Sequence, residues 1–204
     1  MVIEAVLFDY SGVMTANFDV PSDKVPFDVD ALFLQMVGAM TDDSVPHPWH
    51  DLERGDITLD SYIEFIEQAV PGAGAAFAVD SPHNVMANLP LRQDRVELVR
   101  SLRADGLRVG LVTNNVAEWA PVWRSELLDD LFDVVIDSSG VGCRKPEPEI
   151  YRLALDALGG IDASDALFVD DFEWNVTGAV QAGLVGLHCT GDIDLDSAVR
   201  NRLG

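Results

Sequence analysis

The chain has 204 residues, 48% of them hydrophobic, and a formal net charge of −22, enough for one good-sized domain or a core with a smaller insert. The charge opposes binding to nucleic acid or to an anionic membrane, which both need a cationic surface, but not local binding of a small phosphate beside a metal ion. No apolar run reaches membrane-spanning length, and Cys143 and Cys189, far apart and without CxxC spacing, argue against a disulfide framework or zinc site and for a reducing compartment.

The N-terminus, MVIEAVLFDY, reads as a strand and not as a signal peptide, so a cytoplasmic protein is expected. Residues 2–8, VIEAVLF, form a short apolar run ended by Asp9, as in a parallel strand buried on both faces. In Phe8-Asp9-Tyr10-Ser11-Gly12-Val13, Gly12 permits a tight turn close to a ligand. Asp9 there is either a turn former or a carboxylate able to attack phosphorus. From Ser11 to Pro90 no buried-strand run occurs. Helix-like stretches lie at about 28–40 and 58–69, the second starting at the N-cap residue Thr58. Prolines 21, 26, 46, 48, 71, 82 and 90 punctuate the interval, and Pro71-Gly72-Ala73-Gly74 reads as a flexible turn. His47, Trp49, His50 and Arg54 cluster near its centre. They either select a substrate, with Arg54 facing a phosphate or hydroxyl, or form a surface loop that packs Trp49 on the neighbouring helices.

The pattern then alternates: helix at about 92–104, strand 107–112, helix 116–129, strand 133–136, helix 147–158, strand 166–169, helix 173–182, strand 184–188. This alternation predicts an α/β fold with a Rossmann-like, doubly wound parallel sheet. Residues 1–13 and 89–204 form its core, and 14–88 form a small helical cap inserted after the first strand.

Ligands bind such sheets outside the carboxyl ends of the strands. Thr113-Asn114-Asn115 follows the second strand and offers a hydroxyl and backbone N–H groups to a phosphate oxygen, or N-caps the next helix, or both. Lys145 is one of only two lysines, the other being Lys24. It lies in Gly142-Cys143-Arg144-Lys145-Pro146-Glu147-Pro148, either as a solvated loop residue or as an ammonium restrained by Pro146 that neutralises a nucleophile and a transferring phosphoryl group. Asp170-Asp171 follow Leu167-Phe168-Val169. Adjacent carboxylates there repel unless a cation lies between them or one is protonated, and Mg2+ suits such oxygens. Otherwise Asp171 caps the next helix and Asp170 is solvated.

Four motifs in this order, Phe8-Asp9-x-Ser11-Gly12, Val112-Thr113-Asn114, Arg144-Lys145-Pro146 and Val169-Asp170-Asp171 with Asn175, Gly178, Ala179 and Gly183 beyond, resemble the haloacid dehalogenase superfamily. The branch is the one with a helical cap, similar to the small phosphatases related to the amino-terminal domain of soluble epoxide hydrolase. The cap matches more loosely, through Leu52-Glu53-Arg54-Gly55-Asp56-Ile57-Thr58. The resemblance implies a magnesium-dependent phosphomonoesterase that acts on a small phosphorylated metabolite through an aspartyl-phosphate, as monomer or homodimer. Asp9 would be the nucleophile. Asp9, the Ser11 backbone carbonyl, Asp171 and Asp170 would hold magnesium. Thr113 and the Asn114 amide would bind phosphoryl oxygens, Lys145 would bridge Asp9 and phosphate, and Asn175 would support the metal loop.

One position departs from the family. Many of its phosphatases carry a second aspartate, the general acid and base, where this chain has Ser11. That keeps open a weakly active or non-catalytic binding or scaffold protein, and leaves the proton donor open between an undemanding leaving group and a cap histidine, His47 or His50. Dehalogenation is disfavoured, because the dehalogenases typically have tyrosine at the Ser11 position and lack the Asp170-Asp171 pair. A phosphonate hydrolase would need a cap lysine, for which Lys24 is poorly placed, and a phosphomutase needs the missing aspartate.

Overall fold

In a computed structural model, which describes residues 2–16, 25, 27–32, 35, 46–78, 80, 90–127, 129–191 and 193–204, the five apolar runs become five parallel strands. These are β1 (Ala5–Phe8), β2 (Arg108–Thr113), β3 (Val134–Asp137), β4 (Ala166–Asp170) and β5 (Val185–His188), ordered β3-β2-β1-β4-β5. The order reverses at β1, so the crevice between β1 and β4 is where a doubly wound sheet binds ligands. Phe8 pairs with Val169, and this register brings Asp9 level with Asp170.

The strands carry apolar residues without alternation because both faces are covered. Val6, Phe8, Leu111, Leu167 and Val169 join the core on one face. Ala5, Leu7, Val112, Ala166 and Phe168 join the core on the other. Gly110 in β2 is hemmed in: a Cβ there would sit 2.7 Å from Leu7 Cδ2 and 2.9 Å from Val134 Cγ1.

The interval after β1 includes α1 (Pro48–Arg54) and α2 (Leu59–Ala69). Helix α1 was not expected from periodicity, although its end signals are present. His47 Nδ1 accepts the Trp49 N–H, Pro48 opens the first turn, and Gly55 closes it with φ +77°. The expected helix at 28–40 lies largely outside the described residues, which are helical at 29–32 and at 35. Lys24 also lies outside them. The Gly72–Gly74 turn is tied down: the Glu67 carboxylate accepts the N–H groups of Gly72 and Gly74, both at 2.8 Å. Thr15 pairs with Leu91 in an isolated bridge, so the two ends of the interval meet.

Helices α3 (Gln93–Ala104), α6 (Pro148–Ala157) and α7 (Glu173–Gln181) fall where periodicity placed them. The expected helix 116–129 does not form as one element. It breaks into a turn at Ala117–Trp119, a short α4 (Ala120–Trp123) and a turn at Arg124–Glu126. Pro121 has no N–H to continue a ladder from the preceding turn, and Trp119 and Trp123 are both drawn into the core. A short α5 (Ser138–Val141) follows β3, and α8 (Leu195–Leu203), which the pattern did not reveal, ends the chain. Among the described residues no helix is long and apolar enough to cross a membrane.

Candidate active site

The ends of β1 and β4 and the loop after β3 converge on three carboxylates and one ammonium. Asp9 follows β1, its N–H held by Val169 O at 2.9 Å, and is buried. The turn beyond it needs Gly12, whose φ is +79°. Lys145, 1% exposed, donates from Nζ to Asp9 Oδ1 at 2.5 Å and to Asp170 Oδ2 at 2.8 Å. The solvated-lysine reading therefore does not hold. Asp170 is fully buried, and its Oδ1 also accepts from the Phe172 N–H and from Asn175 Nδ2. Asp171 does not cap the next helix: α7 begins at Glu173 with no side-chain cap. Ligand oxygens of Asp9, Asp170 and Asp171 lie within 4.8 Å of one another.

The electrostatics of this group are unbalanced. Burial lifts the Asp9 carboxyl well above the usual carboxylate range, against the pull of Lys145, and Asp170 and Asp171 add to the rise. Burial and then the Asp170 charge push Asp171 up to about 7. Burial alone would lower Lys145, but the charges of Asp170 and Asp9 outweigh it and hold the ammonium above its ordinary value. Asp171 Oδ1 and Asn175 Oδ1 are buried without a hydrogen-bond partner. Unpaired buried oxygens beside a pair of carboxylates are what a hard divalent cation and its waters would satisfy, so the donor set fits magnesium.

The other predicted residues fall into two groups. Asn114, Ser11, Trp49 and Asn175 line the same cavity as Asp9 and Lys145. Asn114 is held from both ends, its Oδ1 accepting the Lys145 N–H at 2.8 Å and its Nδ2 donating to Lys145 O at 3.0 Å. Thr113 is 1% exposed and is not among the lining residues. It does not N-cap the following turn either, which starts after Val116 without a side-chain cap. Arg54 does not face the cavity: its guanidinium bonds Glu147 Oε1. His47 caps α1 and His50 is buried, and neither lines the cavity.

Sequence reasoning missed Glu53 and Arg144. Both are buried, both line the cavity, and Arg144 Nε donates to Glu53 Oε2 at 2.5 Å. Their signal was position alone, Arg144 beside Lys145 and Glu53 within the cap motif. It also missed the aromatic walls, Trp119, Phe172 and Trp174. Phe172 and Trp174 stack at 4.5 Å, and Trp119 belongs to a ring cluster with Trp49, Tyr62 and Phe77. Gly178 explains how the Lys145 loop sits so close to α7, because a Cβ there would meet Pro146 at 2.5 Å.

Comparison with known proteins agrees with this geometry. The pattern of the haloacid dehalogenase-like hydrolases matches residues 3–183. The sesquiterpene phosphatase astK of Aspergillus oryzae is 30% identical over 159 residues, 76% of this chain and 79% of that protein. The bifunctional epoxide hydrolase 2 of Mus musculus is 26% identical over 204 aligned residues, which cover 91% of this chain but 36% of the mouse protein. This chain thus spans about a third of that relative's length. Among solved structures, a HAD-like family hydrolase of Porphyromonas gingivalis superposes with a TM-score of 0.69 at 20% identity, covering 100% of this chain and 98% of the other. A HAD family enzyme of Bacteroides thetaiotaomicron, solved as a magnesium complex, superposes at 0.64 and 21% identity, covering 98% and 100%. The match over most of the chain, together with the doubly wound sheet and the site at its β1–β4 crevice, makes this chain a member of the haloacid dehalogenase-like hydrolase family.

Proposed function

We propose that the chain is a magnesium-dependent phosphomonoesterase that acts on a small phosphorylated metabolite through an aspartyl-phosphate on Asp9. The observation that carries this reading is the meeting of Asp9, Asp170 and Asp171 with a single ammonium, Lys145. Fully ionised, that group leaves two negative charges uncompensated. Asp9, Asp170, Asp171 and the Ser11 carbonyl would hold magnesium, which supplies the positive charge a phosphoryl dianion needs beside three carboxylates.

The residues of the chain do the rest. Asp9 attacks phosphorus, and Lys145 orients that carboxylate and faces the charge that builds on the phosphoryl oxygens. Asn114 fixes the Lys145 backbone and presents its own amide to the cavity. The magnesium complex of the Bacteroides enzyme and the phosphatase relatives support this reading. A metal-free halide displacement has no use for the buried, unpartnered oxygen of Asp171.

The insert, residues 14–88, acts as a lid. The cavity is about 80 Å³, room for roughly five to eight waters. It accepts a phosphoryl group and its solvation, but a sizeable leaving group needs the insert to shift. The meeting of Thr15 and Leu91 provides a narrow attachment for such a shift.

The test is hydrolysis of a panel of phosphorylated metabolites with magnesium and with chelator. Turnover in magnesium, abolished by chelator and by the near-isosteric Asp9→Asn with its fold retained, is expected. Hydrolysis surviving in Asp9→Asn would point to direct attack by water.

A further inference from the structure

With serine at position 11, the leaving oxygen lacks a proton donor, because a serine hydroxyl is a poor acid at neutral pH. The two insert histidines among the described residues do not supply one: His47 spends Nδ1 on capping α1, His50 is buried, and neither lines the cavity. Among the described residues four ionisable side chains line it: Asp9, Glu53, Arg144 and Lys145. Asp9 is the nucleophile, Lys145 is committed to Asp9 and Asp170, and an arginine does not give up its proton. We propose that Glu53, carried into the cavity by the insert, is the general acid that protonates the leaving oxygen and then the base that activates water. This rests on the phosphomonoesterase reading.

The carboxyl is held asymmetrically. Arg144 Nε and Asn114 Nδ2 both donate to Oε2, at 2.5 and 3.4 Å. Oε1 accepts neither of these bonds and is assigned the transferred proton, with the Trp49 side chain also beside the carboxyl. The groups facing Glu53 are Arg144 from the loop after β3, Asn114 after β2, Trp49 and His50 on its own helix, and Tyr62 on α2. Burial raises its pKa and Arg144 opposes the rise, so the same group can hold a proton and release it beside a fixed cation. In the first step an Asp9 oxygen bonds to phosphorus as the ester P–O bond breaks. The leaving oxygen takes the Glu53 proton and departs as a neutral alcohol. In the second step Glu53 removes a proton from water as the water oxygen bonds to phosphorus. The bond between phosphorus and Asp9 then breaks, releasing inorganic phosphate and restoring the Asp9 carboxylate and protonated Glu53. Because α1 carries the acid, catalysis is complete only with the insert seated.

The experiment compares glycerol 1-phosphate, whose alkoxide needs a proton, with 4-nitrophenyl phosphate, whose phenolate does not. Glu53→Gln is expected to lower kcat on the alkyl ester by roughly a hundredfold or more, and on the aryl ester by at least about tenfold less. Equal losses on both would overturn the proposal. Gln also alters the contact with Arg144, so a second measurement uses the parent enzyme with phosphates of graded leaving-group basicity. A shallow dependence is expected, and a steep fall overturns the proposal alone. No magnesium-dependent turnover of any ester by the parent would overturn the phosphomonoesterase reading and the proposal with it.

Discussion

The cavity has two walls held in different ways. On the sheet side, Asp9, Lys145 and Asp170 hold one another by charge, each buried and each dependent on the others. On the insert side, Trp49 sits in a cluster of rings that runs through Tyr62 and Phe77 to Trp119, whose Nε1 donates to Phe77 O at 2.8 Å. That cluster belongs to the same core as Val6, Phe8 and Tyr10, so the described residues of the insert pack on the sheet's apolar face. Among the described residues two acid–base pairs cross the seam, Glu53 with Arg144 and Arg54 with Glu147. The difference teaches that damage to the sheet wall should appear first in chemistry, and damage to the seam first in stability.

The largest effect is expected at Lys145. Lys145→Met leaves Asp9 and Asp170 without their shared ammonium, and kcat on 4-nitrophenyl phosphate should fall by about a hundredfold to a thousandfold. A loss below tenfold would mean that the sheet wall does not depend on that charge.

Next comes the seam. Arg144→Met leaves the buried Glu53 carboxyl without the guanidinium that donates to it and should cost about 2 kcal/mol in urea unfolding. The double change Glu53→Gln with Arg144→Met should cost less than the sum of the two single changes, because the two groups share one contact. A cost under about 1 kcal/mol would show that the seam behaves like a solvated surface pair.

The smallest effect sharpens the sheet side. The Asp171 carboxyl titrates at about 7 in the folded chain, above the unfolded aspartate value of about 3.9. A raised folded pKa contributes stability while the group is protonated, and that contribution is lost as pH rises from about 4 through 7. Without metal, Asp171→Asn should therefore melt like the parent near pH 4 and a few degrees higher at pH 8. Excess magnesium at pH 8 should raise the parent's melting temperature more than the variant's. A gap that is constant across this pH range would show that Asp171 ionises normally.

Much of the sheet wall was legible because each strand is a short apolar run that stops at a polar residue. Asp9, Thr113, Asp170 and Asp171 all stand at such stops. Helices α3, α6 and α7 were legible for the same local reason, an apolar stripe at helical spacing. The segment after Asn115 was not. Its two tryptophans repeat at helical spacing, but Pro121 and the burial of both rings break it into three short pieces. Helix α1 was missed in the opposite way, since its seven residues are too few to show a stripe and only its caps announce it.

By itself the sequence determined where strands end, which chemistry-bearing side chains stand there, and that the segment between the first two strands carries no buried-strand pattern. These are local properties, set by periodicity and by the residues that stop an element. Only the tertiary structure decided which of those side chains meet. Lys145 reaches Asp9 across 136 positions, and Arg144 reaches Glu53 across 91. It also turned Arg54 to Glu147 and His47 to its own helix end, leaving neither at the cavity. No pattern along the chain encodes such pairings, because a buried charge takes the partner that chain packing brings within reach once water is excluded.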